Sequence, residues 1–169
     1  MIAARILSKF LLLVFILVAA AVPSAATGSQ GPSSVYDVGS IIINTAKREL
    51  MFVKGTNDIV VYSIAVGKQG RKWSGATAIS RKVRNPVWAP PPIIRKANPK
   101  LPTLVKAGPN NPLGVAVLVL GDGTYGIHGT NRDETIGTDA SFGCFRMHNK
   151  DILVLFNEVR IGTAVYVQQ

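Results

Sequence analysis

Eight of the ten prolines fall in one stretch, Asn85–Gly114 (NPVWAPPPIIRKANPKLPTLVKAGPNNPLG), and this feature restricts the fold more than any other. Proline lacks a backbone N–H and locks φ, so neither a helix nor a central strand is expected there. A segment of this length without regular structure is either functional or disordered. Trp88, Ile93, Ile94 and Leu104 seek cover from water, which favours an ordered excursion lying over one face of the domain.

Regular structure is therefore expected on either side of the excursion. IIINT (Ile41–Thr45) and ELMFV (Glu49–Val53) are short, apolar and separated by three residues, as in a hairpin. IVVYSIAVG (Ile59–Gly67) is β-branched and unbroken, and reads as a strand buried on both faces. ATAISRK (Ala76–Lys82) is a further strand. Beyond the prolines, VAVLVL (Val115–Leu120) and TYGIH (Thr124–His128) flank the turn signal GDG, forming a second hairpin with His128 at its far end. NKDILVLFNEVRIG reads as a helix with Asn149 as N-cap, Ile152, Leu155, Phe156 and Val159 on one face, and Gly162 as its stop. AVYVQ (Ala164–Gln168) is the closing strand. The expected class is mostly β with a short α-helix near the C-terminus.

The start of the sequence reads differently. Arg5 and Lys9 precede an unbroken apolar run of 13 residues, Phe10–Val22, and then small residues at Ser24 and Ala26. That order describes a secretory signal peptide over residues 1–26; the run is short for a membrane span of about 20 residues. An uncleaved N-terminal anchor is the alternative. TGSQGPSS, residues 27–34, reads as a linker, and the domain is expected over residues 35–169. The leader holds two of the 19 basic residues and none of the nine acids, which leaves the exported chain at +8. Such a charge attracts anionic partners, and export favours an acidic polymer outside the cytoplasm over nucleic acid. No nucleic-acid-binding module is recognisable. No membrane span is expected in the mature chain.

Cys144, within SFGCFRMHN, is the only cysteine. An exported chain with one thiol cannot close an internal disulfide, so the residue is buried and inert, pairs with another molecule, or works chemically. A thiol becomes a nucleophile when an imidazole takes its proton and the imidazolium then stabilises the thiolate. The two histidines are His128, at a strand end before Gly129, and His148, beside the helix start, where it either serves the thiol or faces solvent. The glycine-rich loop between His128 and Cys144 allows the chain to fold back. Gly143 reaches conformations closed to other residues and can aim backbone N–H groups at an oxyanion. Arg146 either receives a substrate carboxylate or pairs with Asp133, Glu134 or Asp139; Ser141 either serves the site or stabilises the turn. One cysteine and two histidines lack recognisable metal spacing, and phosphate loops and dinucleotide fingerprints are absent, so no metal or cofactor is expected.

YGIHGTN (Tyr125–Asn131), IG (Ile136–Gly137) and SFGCFRM (Ser141–Met147) resemble the signature of the L,D-transpeptidases, the YkuD-type catalytic domain. NPVWAPPP, GPNNPLG and NKDILVLFNEVRIGTAVYV extend the likeness from about Ile41 to the end. The resemblance implies a β-sandwich-like domain acting on peptidoglycan stem peptides in the periplasm or cell wall, in wall biogenesis and cell shape. It makes Cys144 the nucleophile, His128 the general base, the Gly129 carbonyl its orienter, and N–H groups near Gly143 and Cys144 the oxyanion hole. Arg146, Ser141 and Phe142 would line the substrate site. D-alanine would leave, and a stem peptide or anchored lipoprotein would supply the acceptor amine. Two departures stand out. Phe142 occupies a position that is usually histidine, and WSGATAIS (Trp73–Ser80) replaces a Thr-Pro-x-Gly turn, a change expected to alter a surface turn rather than the chemistry. The alternatives are a wall-binding module with weakened catalysis, supported by Phe142, and a thiol carboxypeptidase that uses water as acceptor.

Overall fold

A computed structural model describes residues 36–169. The expected signal peptide (1–26) and linker (27–34) lie outside the described residues. Among those described, no helix is long and apolar enough to cross a membrane.

The first expected hairpin is present. β1 (Ile41–Asn44) pairs antiparallel with β2 (Glu49–Gly55), in the register Ile41↔Phe52. β3 (Asp58–Ser63) pairs with β2, and a short β4 (Val66–Gly67) follows. β5 (Gly75–Arg84) precedes the proline-rich segment. Beyond it come β6 (Ala116–Leu120) and β7 (Tyr125–His128), the second expected hairpin, with Leu118 opposite Ile127. β8 (Asp139–Ser141), β9 (Phe145–Arg146), a helix over Asn149–Glu158, and β10 (Ala164–Gln168) complete the chain. Eight strands form one sheet in the order β3-β2-β1-β10-β5-β6-β7-β9, and β4 pairs with β8 apart from it. Leu50 and Phe52 from one end of that sheet and Phe145 from the other belong to a single core cluster, so the sheet curls around its own apolar side chains. The mostly-β class with a C-terminal helix is as expected.

Three local expectations are corrected. The run Ile59–Gly67 is not one doubly buried strand. β3 is an edge strand with Ile59 50% and Val61 54% exposed, and the chain leaves the sheet at Ile64. The strand buried on both faces is β1, an interior strand between β2 and the closing strand β10, whose three isoleucines are at most 2% exposed. β-branched composition marks a strand but not its depth.

The proline-rich segment does hold a short helix, α1 (Pro92–Ala97), because its first residue is proline at a position whose N–H has no helical partner anyway. The rest of the excursion is ordered, as expected, but the cover expected for its apolar residues is only partly found: Trp88 is buried and Ile94 half-buried, whereas Ile93 and Leu104 are 40% and 51% exposed. Trp88 and Val105 exchange backbone hydrogen bonds of 2.9 and 2.8 Å. The fully buried Asn111 donates Nδ2 to the carbonyl of Pro86 at 2.7 Å and accepts from the Leu113 N–H at 2.9 Å.

The C-terminal helix, α2 (Asn149–Glu158), starts and stops differently from expectation. Its N-cap is His148, and the side chain of Asn149 turns away from the helix. It ends before Val159 rather than at Gly162, because Lys82 Nζ reaches the carbonyls of Phe156 (2.6 Å) and Val159 (2.5 Å). A cation there satisfies the orphan carbonyls and complements the negative helix end. Ile152 and Leu155 bury against the sheet, and Gly162, at φ +88°, turns the chain into β10.

Candidate active site

Strand alternation decides what faces the site. β7 and β9 run parallel, with Ile127 beside Phe145 and His128 beside Arg146. Ile127, Phe145 and Met147 are at most 1% exposed and point into the core. Side chains one position away project from the opposite face. His128, Cys144 and Arg146 therefore share that face, and with Ser141 and Phe142 they line a cavity of about 710 Å³. The proline-rich excursion forms its other wall through Trp88, Pro91, Ile94 and Leu113. Among the described residues, three arginines (81, 132 and 146) line the cavity and no acidic side chain does.

The imidazole is fixed from behind. His128 Nδ1 lies 2.6 Å from the Gly129 carbonyl, which accepts only, so Nδ1 carries the proton and Nε2 holds the free lone pair. The contact involves the carbonyl that the resemblance names for the imidazole, that of Gly129. The Gly129–Thr130 backbone is itself held by Asn149. Its Oδ1 accepts from the N–H of Thr130 (3.1 Å) and Val115 (3.3 Å), and its Nδ2 donates to the Thr130 carbonyl (2.8 Å). A Cβ on Gly129 would stand 2.2 Å from that Oδ1, so only glycine fits. Sequence reasoning assigned Asn149 to a helix cap and missed this role, since the partners lie 19 and 34 residues upstream.

Cys144 follows a tight turn. Ser141 Oγ accepts from the Gly143 N–H at 3.0 Å and donates to the Cys144 carbonyl at 2.5 Å. Gly143 adopts φ +121°, and a Cβ on it would meet Tyr125 Cε1 at 2.4 Å. Ser141 thus stabilises the turn while lining the site, and it occupies one of the N–H groups considered for the oxyanion. Trp73, expected on a surface turn, is instead half-buried. It stacks on Tyr125 with ring centres 4.9 Å apart and donates Nε1–H to the Gly143 carbonyl at 3.0 Å.

The titration of the pair departs from the thiolate–imidazolium picture. Burial, opposed by the Gly129 carbonyl and aided by the Arg146 charge, pushes His128 down to about 4. Cys144 as a residue keeps some exposure at the cavity, but the sulfur's immediate surroundings are protein, and burial pushes the thiol up despite the Gly126 N–H and Arg146. Both groups therefore rest neutral at pH 7, with a lone pair on one and a proton on the other. The unfolded chain protonates His128 first as pH falls. The stability from keeping the ring neutral is full above pH 6.5, declines between 6.5 and about 4, and is absent below. Its size is on the order of 3 kcal/mol. Denaturation of the protein and of His128→Gln across pH 4–7 should show the stability difference between them changing by roughly this amount, and a constant difference would refute the assignment.

Arg146 is half-buried beside the pair, and burial lowers its pKa. The acids that might have paired with it are engaged elsewhere. Asp133 meets His148 at 3.2 Å, Glu134 meets Arg132 at 3.0 Å, and Asp139 meets Arg48 and Lys72 at 2.7 and 2.8 Å. Among the described residues the Arg146 guanidinium makes one hydrogen bond, to Thr135 Oγ1 at 3.3 Å, and so retains donors for an incoming carboxylate. His148, tied to Asp133, is not part of the cavity lining. Phe142 carries Lys68 Nζ 4.0 Å from its ring centre.

A family model described as the L,D-transpeptidase catalytic domain (YkuD) matches residues 39–167. The probable L,D-transpeptidase YbiS of Escherichia coli K12 is 39% identical over 143 residues, 79% of this chain and 45% of that protein. The probable L,D-transpeptidase ErfK/SrfK of Salmonella typhimurium is 40% identical over 134 residues, 75% and 43% of the two chains. This chain thus spans less than half the length of these relatives. Among solved structures, L,D-transpeptidase 3 of Mycobacterium tuberculosis shares the fold with a TM-score of 0.62 at 12% identity, over 78% of this chain and 61% of that one.

Proposed function

Because this chain belongs to the L,D-transpeptidase (YkuD) family, we propose that it is a cysteine acyltransferase of the cell wall, acting on peptidoglycan stem tetrapeptides. The observation that carries this reading is the projection of His128, Cys144 and Arg146 from one face of β7 and β9 into one cavity. A cavity lined, among the described residues, by three arginines and no acid suits a donor that carries several carboxylates.

The chemistry follows from the protonation states. Cys144 Sγ attacks the carbonyl of the residue that precedes D-alanine, and its proton passes to His128 Nε2 as the C–S bond forms. Because the thiol rests protonated, the base acts during attack rather than before it. The tetrahedral oxyanion collapses, the C–N bond breaks, and His128 returns the proton to the departing D-alanine amine. A thioester remains on Cys144. An acceptor amine from a stem peptide or anchored lipoprotein then attacks it, loses its proton through His128 and regenerates the thiol. Phe142 cannot relay protons, and His148 is tied to Asp133, so His128 serves both half-reactions. Action outside the cytoplasm, in the periplasm or wall, belongs to this reading and is supported by the basic and then apolar order of Met1–Val22.

The test is intact-mass analysis after incubation with a stem tetrapeptide, with and without an acceptor amine. The expected result is release of one D-alanine, an acyl adduct that peptide mapping places on Cys144, and a cross-linked product when amine is supplied. Release with no cross-linked product would make the chain a carboxypeptidase. Absence of both release and adduct would refute the acyltransferase reading.

A further inference from the structure

Gly143 and Cys144 offer four main-chain polar groups next to the sulfur, and three are already bound, while the Gly126 N–H acts on the thiol itself. The Gly143 N–H donates to Ser141 Oγ, the Cys144 carbonyl accepts from the same hydroxyl, and the Gly143 carbonyl accepts from Trp73 Nε1. The Cys144 N–H is the one that nothing accepts among the described residues. It belongs to the same planar peptide as the Gly143 carbonyl, and in a trans peptide the C=O and N–H point in opposite directions. Whatever anchors the carbonyl therefore also aims the N–H.

That anchor lies 70 residues away in sequence. The indole nitrogen of tryptophan only donates, and its ring is held by stacking on Tyr125 and by a tilted contact with Phe145, with centres 5.6 Å apart. Glycine at 143 has little torsional restraint of its own, so the external hydrogen bond does the restraining. We propose that Trp73 is a positioning residue for acylation: by holding the Gly143 carbonyl it sets the direction of the Cys144 N–H, the donor that receives the oxyanion. The inference rests on the reading of Cys144 as the acylated nucleophile. It gives a chemical role to a segment whose departure from the family turn looked superficial.

The test compares two reactions of the same thiol. Acylation by a carbapenem passes through a tetrahedral oxyanion, whereas alkylation by iodoacetamide is a direct displacement at carbon and forms none. Trp73→Phe keeps an aromatic ring against Tyr125 and Phe145 and removes the donor. Acylation is expected to fall about tenfold to a hundredfold, below the full effect of deleting an oxyanion donor. Alkylation is expected to stay within about twofold, with an unchanged pH profile. A parallel loss in both reactions would show that Trp73 acts on the thiol or on folding, and no loss in either would show that the hydrogen bond is idle; each overturns the proposal. If Trp73→Phe melts early, 3-benzothienylalanine at position 73 replaces the N–H by sulfur at nearly constant shape and decides the same question. Failure of the unaltered protein to form any carbapenem adduct is a separate outcome that refutes the acyltransferase reading itself and this inference with it.

Discussion

Replacing His128 by alanine is expected to slow acylation of Cys144 by at least about 100-fold at pH 7, within the range for loss of a general base. Iodoacetamide alkylation, which runs through the small fraction of thiolate that has lost its proton to water and needs no proton returned to a leaving amine, is expected to change little. The two outcomes separate because the resting site is neutral. Burial holds the imidazole near 4 and raises the thiol, so no standing ion pair is lost with the ring. On the proposed mechanism, what disappears is the Nε2 lone pair available to take the proton during attack, with Nδ1 already committed to the Gly129 carbonyl. Stopped-flow carbapenem acylation and parallel alkylation measure both. A fall in alkylation as large as that in acylation would mean that His128 maintains a thiolate at rest. Equal acylation rates in both proteins would remove His128 from the mechanism.

Gly143→Ala is expected to lower acylation by more than about 100-fold and to reduce stability by about 1–3 kcal/mol or more, the usual cost of a side chain forced into a disallowed conformation. Two constraints coincide. Gly143 has φ +121°, and its added Cβ would lie 2.4 Å from Tyr125 Cε1 and 3.3 Å from the Arg71 carbonyl. The tyrosine ring cannot retreat without leaving its stack on Trp73, and the alternative is a rotated peptide that misdirects the Cys144 N–H. Thermal melts and adduct kinetics provide the measurements. Adding Tyr125→Ala relieves the contact but not the torsion, so it should restore part of the stability and little of the rate. Full activity in Gly143→Ala would show that the turn tolerates another geometry.

Much of this molecule could be read before any coordinates. The hairpins around Arg48 and Asp122, the position of His128 at a strand end, and the proline-rich excursion follow from local patterns: apolar runs, turn glycines and prolines; of the apolar residues expected to be covered in the excursion, Trp88 is buried but Ile93 and Leu104 are exposed. The depth of a strand did not follow. Ile59 and Val61 have the composition of an interior strand, but among the described residues β3 has no neighbour beyond it, whereas β1 lies inside the sheet with the last strand of the chain, β10, beside it. Asn149 looked like a helix cap because a short polar side chain before a helix commonly caps it, yet here its amide faces a loop that arrives from elsewhere.

The chain by itself determined which groups are available: one thiol, an imidazole at a strand end, an arginine two residues past the sulfur, and glycines where the backbone must bend sharply. These are properties of residues and near neighbours. Only the tertiary structure decided how those groups behave. Among the described residues it left the Arg146 guanidinium without an ion pair by engaging the nearby acids elsewhere, kept His128 and Cys144 neutral by burial, and brought Trp73 to the Gly143 carbonyl. Protonation and hydrogen-bond direction depend on what surrounds a group in space, and those surroundings come from segments far apart along the chain.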